Sequence, residues 1–395
     1  MKVLIISDPD TKYGAPKSLF DTIIALKTNH DLDITVLVTR NSDIVRKLRN
    51  AGCNVIVLLY NSFYNEFPTW KQYWKFPLTF VRQGLRYFYG RMFAEKRLRR
   101  AVRIEDFDLI HANSSREDFG ALLSEKYHIP LVWHIREYGD IHSYFYSFRK
   151  NYIELMNRAS SVMVAVSDAA REHWIQKGID REKIIRIYDG VEPIKLSKQK
   201  HIPLNQKQEI RLVMTGSIQP IKGQEQAIRL LGKLKDSDRR FHLDLIGDGP
   251  RPYIHHLKQL IRQYQIEDAV SFLGYRNDVP ELLPNYDVGL VCGKGEGFGR
   301  TTVEYMMAGL PVLASDTGAN PELVRNGIDG YIYSYDNLSN MKTGLCRIID
   351  EDLGGHDTQR YAVETFSSFV NAESIYSLYM SIYSNQSMKN IISLD

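Results

Sequence analysis

Short apolar runs alternate with stretches of helical period along nearly the whole chain. In the first half the runs are Val3–Ser7, Ile34–Val38, Val55–Leu59, Leu109–His111, Leu131–His134, Val162–Val166 and Ile184–Ile187. In the second half they are Arg211–Thr215, His242–Ile246, Val270–Leu273, Val288–Val291 and Val312–Ala314. Most are continuous, as expected of parallel strands covered on both faces. Between them, Leu19, Ile23 and Leu26 share one helical face, as do Leu257, Leu260 and Ile261. Strand–helix alternation predicts an α/β doubly wound fold, here twice over. The polar, aperiodic stretch KLSKQKHIPLNQKQ, 195–208, is the expected linker between a first domain, 1–194, and a second, 209–370. Residues 371–395 are expected to form a C-terminal helix and tail that return to the first domain. Ligands of such sheets bind at the carboxyl ends of the strands, so a cleft between the two domains is the default site.

Composition adds little until it is taken locally. A chain of 395 residues with 44% apolar and 25% charged residues has the balance of a soluble globular protein. Cys53, Cys292 and Cys346 lie far apart and match no CxxC or zinc spacing, which fits a reducing, cytoplasmic setting. No run of about 18 apolar residues is present, so no bilayer span is expected. The net charge of +4 conceals one stripe: residues 71–104 hold ten basic residues and a single acidic one, Glu95. That stripe carries +9 and the remainder of the chain −5, which argues for a local anionic partner.

The segment with the most chemistry is GKGEGFGRTTVEYMMAGLPVLASDTG, 293–318. A glycine loop follows a strand and enters a helix near Arg300. Glycines let backbone N–H groups approach a phosphate, and the helix start adds orphan donors and a partial positive charge. Thr301 and Thr302 place hydroxyls in that first turn. Glu304, one turn deeper, has the acidic character needed to accept from two ribose hydroxyls, and Glu296 stays in the loop. A glycoside hydrolase would hold two carboxylates about 5–10 Å apart across a sugar, whereas a helical Glu304 is expected to face away from it.

This segment resembles glycosyltransferase family 4, retaining enzymes of the GT-B fold, through E-G-F-G-x4-E at Glu296–Glu304 and M-x-x-G-x-P-V at Met306–Val312. The resemblance implies that Glu304 grips the ribose of a nucleotide sugar and that Glu296, Gly297 and Phe298 meet the transferred sugar, with Gly299 offering a backbone donor. GSIQPIKG, 216–223, is similar to the family's G-R-x4-K-G, whose basic residues clamp the diphosphate. Lys222 matches, but Ser217 stands where the family has arginine, and a hydroxyl cannot reproduce the guanidinium fork. Lys222, Arg300 and the helix start are then expected to hold the leaving group. Tyr275 and Arg276 are nucleobase candidates by location. Gly14 stands where the family often has a Gly-Gly pair near the donor phosphates. His134, in VWHIRE, is read from the residues either as a satisfied core histidine or as a strand-end group facing the cleft; the resemblance favours the second. It also favours front-face displacement with no metal, so Asp8-Pro9-Asp10 and Asp31-Leu32-Asp33 are read as loop carboxylates. Arg136 and Glu137 are expected either to pair with each other or to position the acceptor.

The least family-like stretch is 61–103, with Phe63, Tyr64, Phe67, Trp70, Tyr73, Trp74 and Phe76 beside the basic stripe. Val81, Leu85, Phe88 and Met92 form an apolar helical face flanked by Arg82, Arg86 and Arg91, with Arg97 further on. One expectation is a membrane-surface element; the other is a helix whose apolar face packs inward. No nucleic-acid motif accompanies the charge. The resulting expectation is a retaining transferase at the cytoplasmic membrane face. It would use a UDP-sugar and a lipid-linked or polymeric glycan acceptor. The alternatives are a non-catalytic scaffold, which only Ser217 favours, and a sugar-nucleotide epimerase.

Overall fold

The computed structural model describes residues 1–7, 14–60, 62, 64–66, 76–139, 145–194 and 202–392. The chain forms two compact units, Met1–Gly190 with Ser368–Asp395, and Val191–Ser367.

The first unit runs β1 (Lys2–Ser7), α1 (Gly14–Asn29), β2 (Asp33–Val38), α2 (Asp43–Asn50), β3 (Asn54–Val57), β4 (Tyr64–Glu66), α3 (Phe76–Ala101), β5 (Leu109–Ala112), α4 (Phe119–Tyr127), β6 (Leu131–Ile135), β7 (Phe145–Ser147), α5 (Tyr152–Ala159), β8 (Val162–Ala165), α6 (Asp168–Gln176) and β9 (Ile184–Arg186). Seven strands form a parallel sheet in the order β3-β2-β1-β5-β6-β8-β9. The short β4 and β7 pair antiparallel as a separate two-stranded ladder. Continuous burial along β1, β2, β5 and β6 is what the unbroken apolar runs require of a sheet covered on both faces.

The second unit repeats the plan with β10 (Glu209–Thr215), α7 (Gln224–Leu234), β11 (Arg240–Ile246), α8 (Arg251–Tyr264), β12 (Val270–Gly274), α9 (Val279–Leu282), β13 (Val288–Val291), α10 (Arg300–Met307), β14 (Val312–Ser315), α11 (Asn320–Leu323), β15 (Gly330–Tyr333), α12 (Leu338–Asp350) and α13 (His356–Phe366). Its parallel sheet has the order β12-β11-β10-β13-β14-β15. Of the expected linker, 195–201 lies outside the described residues. Leu204, just beyond, is buried in the second core, with its N–H on Asp352 Oδ1 at 2.7 Å.

The chain then returns to the first unit through α14 (Ser368–Ile392), which packs on α1. Ala372, Ile375 and Tyr379 complete the first core, and Thr22 donates to Asn371 Oδ1 at 2.7 Å.

In both sheets the strand order reverses beside the first strand of the unit: between β1 and β5, and between β10 and β13. Sheets of this architecture bind ligands at the carboxyl ends of such strands. In the second unit, the segments 216–223 and 293–299 that the sequence singles out leave those ends.

Candidate functional site

In the second unit two helices start at the carboxyl ends of adjacent strands. After β10 the loop Gly216–Gly223 leads into α7; after β13 the loop Gly293–Gly299 leads into α10. Both helices are preceded by glycines in the left-handed region, Gly223 (φ 77°) and Gly299 (φ 87°), and neither has a side-chain cap. Gly223 is fixed by space as well as by φ. A Cβ there would lie 2.1 Å from the carbonyl oxygen of Cys292.

The two loops brace each other. Lys294 N–H donates to Ile221 O at 3.0 Å, and Lys222 Nζ lies 2.5 Å from Glu296 Oε1. From behind, Ser315 Oγ and Thr317 Oγ1 both donate to Gly293 O, and Ala319 N–H donates to Glu296 O. Tyr305 of α10 reaches beneath β10, accepting from Thr215 N–H at 2.7 Å and contacting Thr215 Oγ1 at 3.1 Å. Gly289 in β13 makes room for that ring.

Arg300 Nε lies 3.0 Å from Glu304 Oε1, one turn along α10, and both side chains are mostly buried. The two cations expected to meet a diphosphate are therefore each held by a carboxylate expected to meet the sugar or the ribose. The Lys222–Glu296 pair is partly exposed, and such a pair contributes only roughly 0–1 kcal/mol, whereas the Arg300–Glu304 pair is mostly buried and more firmly committed.

Other expected residues take different places. Thr301 is partly exposed in the first turn of α10, but Thr302 is fully buried and donates to Asn320 Oδ1 at 2.9 Å, so its hydroxyl is committed inward. The Phe298 ring is buried beside Phe366. Gly297 lies in the loop between Glu296 and Phe298. Ser217 is partly exposed, and its carbonyl accepts from Gln224 Nε2 at 2.9 Å. Tyr275 is exposed after β12, whereas Arg276 forms a two-point pair with Asp278.

In the first unit Gly14 is the exposed first residue of α1; Asp8, Asp10 and Tyr13 lie outside the described residues. His134 lies within β6 rather than at its end, and its ring is fully buried. Its Nδ1 is 3.2 Å from His111 Nε2 and 3.4 Å from Arg136 Nη2, while its Nε2 has no partner among the described residues. His111 Nδ1 lies 2.5 Å from the Tyr379 hydroxyl. Burial, with Arg136 nearby, pushes His111 down to about 3 and His134 well below the usual imidazole range, so both rings are neutral. Arg136 and Glu137 do not pair with each other. Arg136 holds Asp189 and Asn113 Oδ1, and Glu137 accepts from Ser114 Oγ and from Ser115 N–H and Oγ. The helpers Asn113, Asp189 and Tyr379 carry no local signal in sequence, because each acts across a long chain separation.

Helix α3 overturns the expectation of an inward apolar face. Val81, Leu85, Phe88 and Met92 are all exposed, and Arg82, Arg86 and Arg97 are exposed with them. The buried side holds Tyr87, Arg91, Ala94, Glu95 and Leu98. Arg91 is thus not a surface cation. It pairs with Asp118 at 2.8 Å, under the Tyr87 ring. Beside it, burial and the neighbouring Asp118 push Glu117 up to about 8. Phe63, Phe67, Trp70, Tyr73 and Trp74 lie outside the described residues, as does the side chain of Tyr64. Among the described residues no helix is long and apolar enough to cross a membrane, and no group of three His, Cys, Asp or Glu side chains is placed to hold a metal.

Residues 197–364 match the family described as Glycosyl transferases group 1, and residues 37–194 that described as Glycosyltransferase Family 4. The chain is similar to N-acetyl-alpha-D-glucosaminyl L-malate synthase of Bacillus anthracis, 28% identical over half of this chain and half the length of that relative. It is 22% identical to the UDP-Gal:alpha-D-GlcNAc-diphosphoundecaprenol alpha-1,3-galactosyltransferase of Escherichia coli, over 73% of this chain and 79% of the relative. Among solved structures, Anabaena Alr3699/HepE in complex with UDP and glucose has a TM-score of 0.73 at 23% identity, covering 96% of this chain and all of that one, a likeness of fold.

Proposed function

We propose that this chain, which belongs to glycosyltransferase family 4 and has the GT-B fold, transfers a sugar with retention from a UDP-sugar to a lipid-linked or polymeric glycan in polysaccharide biosynthesis. The carrying observation is the pair of glycine-started helices at the strand-order reversal of the second unit, with Lys222, Glu296, Arg300 and Glu304 at their mouths. Their N–H groups and Lys222 take the diphosphate; Arg300 joins them once Glu304 turns to the ribose. Freed from Lys222, Glu296 accepts hydroxyls of the sugar. Tyr275, exposed on the next loop, stacks on the base. Developing charge on the leaving diphosphate is stabilised by groups already in place, and its oxygen receives the acceptor's proton. No metal is needed for that step. The UDP donor and lipid-linked acceptor are supported by the names of the Escherichia coli and Anabaena relatives.

The acceptor side of this reading is a surface. The exposed apolar stripe of α3 with Arg82, Arg86 and Arg97 beside it suits the interface of an anionic membrane on the cytoplasmic side, each cation adding about 1 kcal/mol near such a surface.

A thermal-shift panel of UDP, GDP, ADP and dTDP tests the donor, since a ligand of the folded state raises the midpoint. UDP should raise it most, and UDP-sugars should slowly release UDP. No shift with any nucleotide would overturn the reading; a shift without release would favour the non-catalytic scaffold that Ser217 suggests. In flotation assays, Arg82→Glu/Arg86→Glu/Arg97→Glu should abolish binding to phosphatidylglycerol vesicles. Wild-type protein that ignores those vesicles would end the membrane proposal.

A further inference from the structure

The buried polar chain around His134 has only one consistent set of protons. Arg136 has donors alone. Its Nε is spent on Asn113 Oδ1 at 2.7 Å and its Nη1 on Asp189, leaving Nη2 3.4 Å from His134 Nδ1. A proton on that Nδ1 would face a guanidinium N–H, so Nδ1 is the accepting atom. His111 Nε2, 3.2 Å from the same Nδ1, must then donate. A neutral His111 that donates from Nε2 accepts at Nδ1, and there the Tyr379 hydroxyl donates across 2.5 Å. Reversing the order would turn the Tyr379 hydroxyl into an acceptor and put a proton on His134 Nδ1, against Arg136.

We infer that His134 is fixed as its Nε2–H tautomer, a donor and never a base, by His111 and Arg136, with Tyr379 on the C-terminal helix setting His111. The proton of His134 sits on the one ring nitrogen that lacks a partner among the described residues, inside a fully buried ring. An unpaired buried donor is destabilising, and a bound oxygen would remove that cost. Resting on the expectation that His134 faces a ligand, the inference gives that contact a sign: His134 Nε2–H donates to an oxygen of the ligand and cannot take its proton. His111 and Tyr379 are positioning residues, since both act through the ring.

The test is a long-range proton–nitrogen correlation spectrum of the full chain, labelled with nitrogen-15 at its 11 histidines. His134 is assigned from the signal missing in His134→Gln. In wild type, His134 and His111 should both show a bare Nδ1 and a protonated Nε2 at neutral pH. A protonated Nδ1 on His134 would overturn the inference. His111→Leu should leave His134 a mixture of tautomers and lower kcat about tenfold with little change in the donor KM. His111→Gln, whose amide can donate at the Nε2 position, should restore both. Tyr379→Phe, the variant to read if His111→Leu fails to fold, should blur the His111 tautomer. An unchanged His134 spectrum in His111→Leu, or an unchanged His111 spectrum in Tyr379→Phe, would remove that residue from the relay. The spectra need no substrate, so they stand or fall separately from the UDP-sugar reading.

Discussion

The two units share a sheet plan but build their polar centres from different materials. In the second unit the centre is mostly main chain: glycine loops and helix starts, with Lys222 and Arg300 each paired with a carboxylate. In the first it is side chain on side chain, buried from Ser7 and Asn113 through Arg136 and the two histidines to Tyr379. A main-chain centre is expected to tolerate a change of side chain, such as Ser217 where the resemblance has arginine. It does not tolerate a change of backbone shape. A side-chain centre has the opposite weakness.

The largest effect that would test this contrast is in the first unit. Arg136→Met leaves Asp189 buried without its cation and should cost about 3–5 kcal/mol in urea unfolding. A loss below about 1 kcal/mol would mean the network is dispensable. Next comes Gly223→Ala, which forces a Cβ against the Cys292 carbonyl at a left-handed position; it should cost about 1–3 kcal/mol and remove UDP binding in calorimetry. Retained affinity would show that the loop shape is not the binding element.

A third prediction concerns pH. Glu117 ionises near 4.5 when unfolded but only at about 8 when folded, so the folded state keeps a proton that the unfolded chain has lost. Stability from this group is therefore full below about 4.5 and falls as pH rises towards about 8. Glu117→Gln should gain on wild type across that window by several degrees of midpoint, at roughly 2–4 °C per kcal/mol for a unit of this size. An equal gain at both ends would deny the shift. The smallest effect is Ser217→Arg. New charge-assisted bonds of about 1.5–3 kcal/mol, less roughly 1.5–2 kcal/mol of side-chain ordering, should tighten UDP binding only severalfold. A hundredfold gain would show that the main chain does less than the contrast implies.

Much of the fold could be read from the sequence because unbroken apolar runs mark buried parallel strands, and all twelve expected runs overlap strands. The missing ones are short. Gly330–Tyr333 is a four-residue sheet-edge strand, and β4 and β7 have three residues each. Lys222 and Glu296 were legible as separate chemistry, but not their contact across 74 positions. Arg91 shows the limit best. By periodicity it flanks an apolar face like Arg82 and Arg86, yet Asp118, 27 positions away, draws it inside. Periodicity locates a helix face; which face is buried depends on partners elsewhere in the chain.

The return of α14 has a consequence for how the protein is made. The second unit is continuous, so a ribosome can release it whole while the first still lacks its last helix. Until Ala372, Ile375 and Tyr379 emerge, the face of α1 is uncovered, Thr22 lacks Asn371, and His111 has no hydroxyl to set it. The β1–α1 stretch thus waits for α14. A message cut short before Ser368 would yield an intact second unit and a first unit that lacks its last helix.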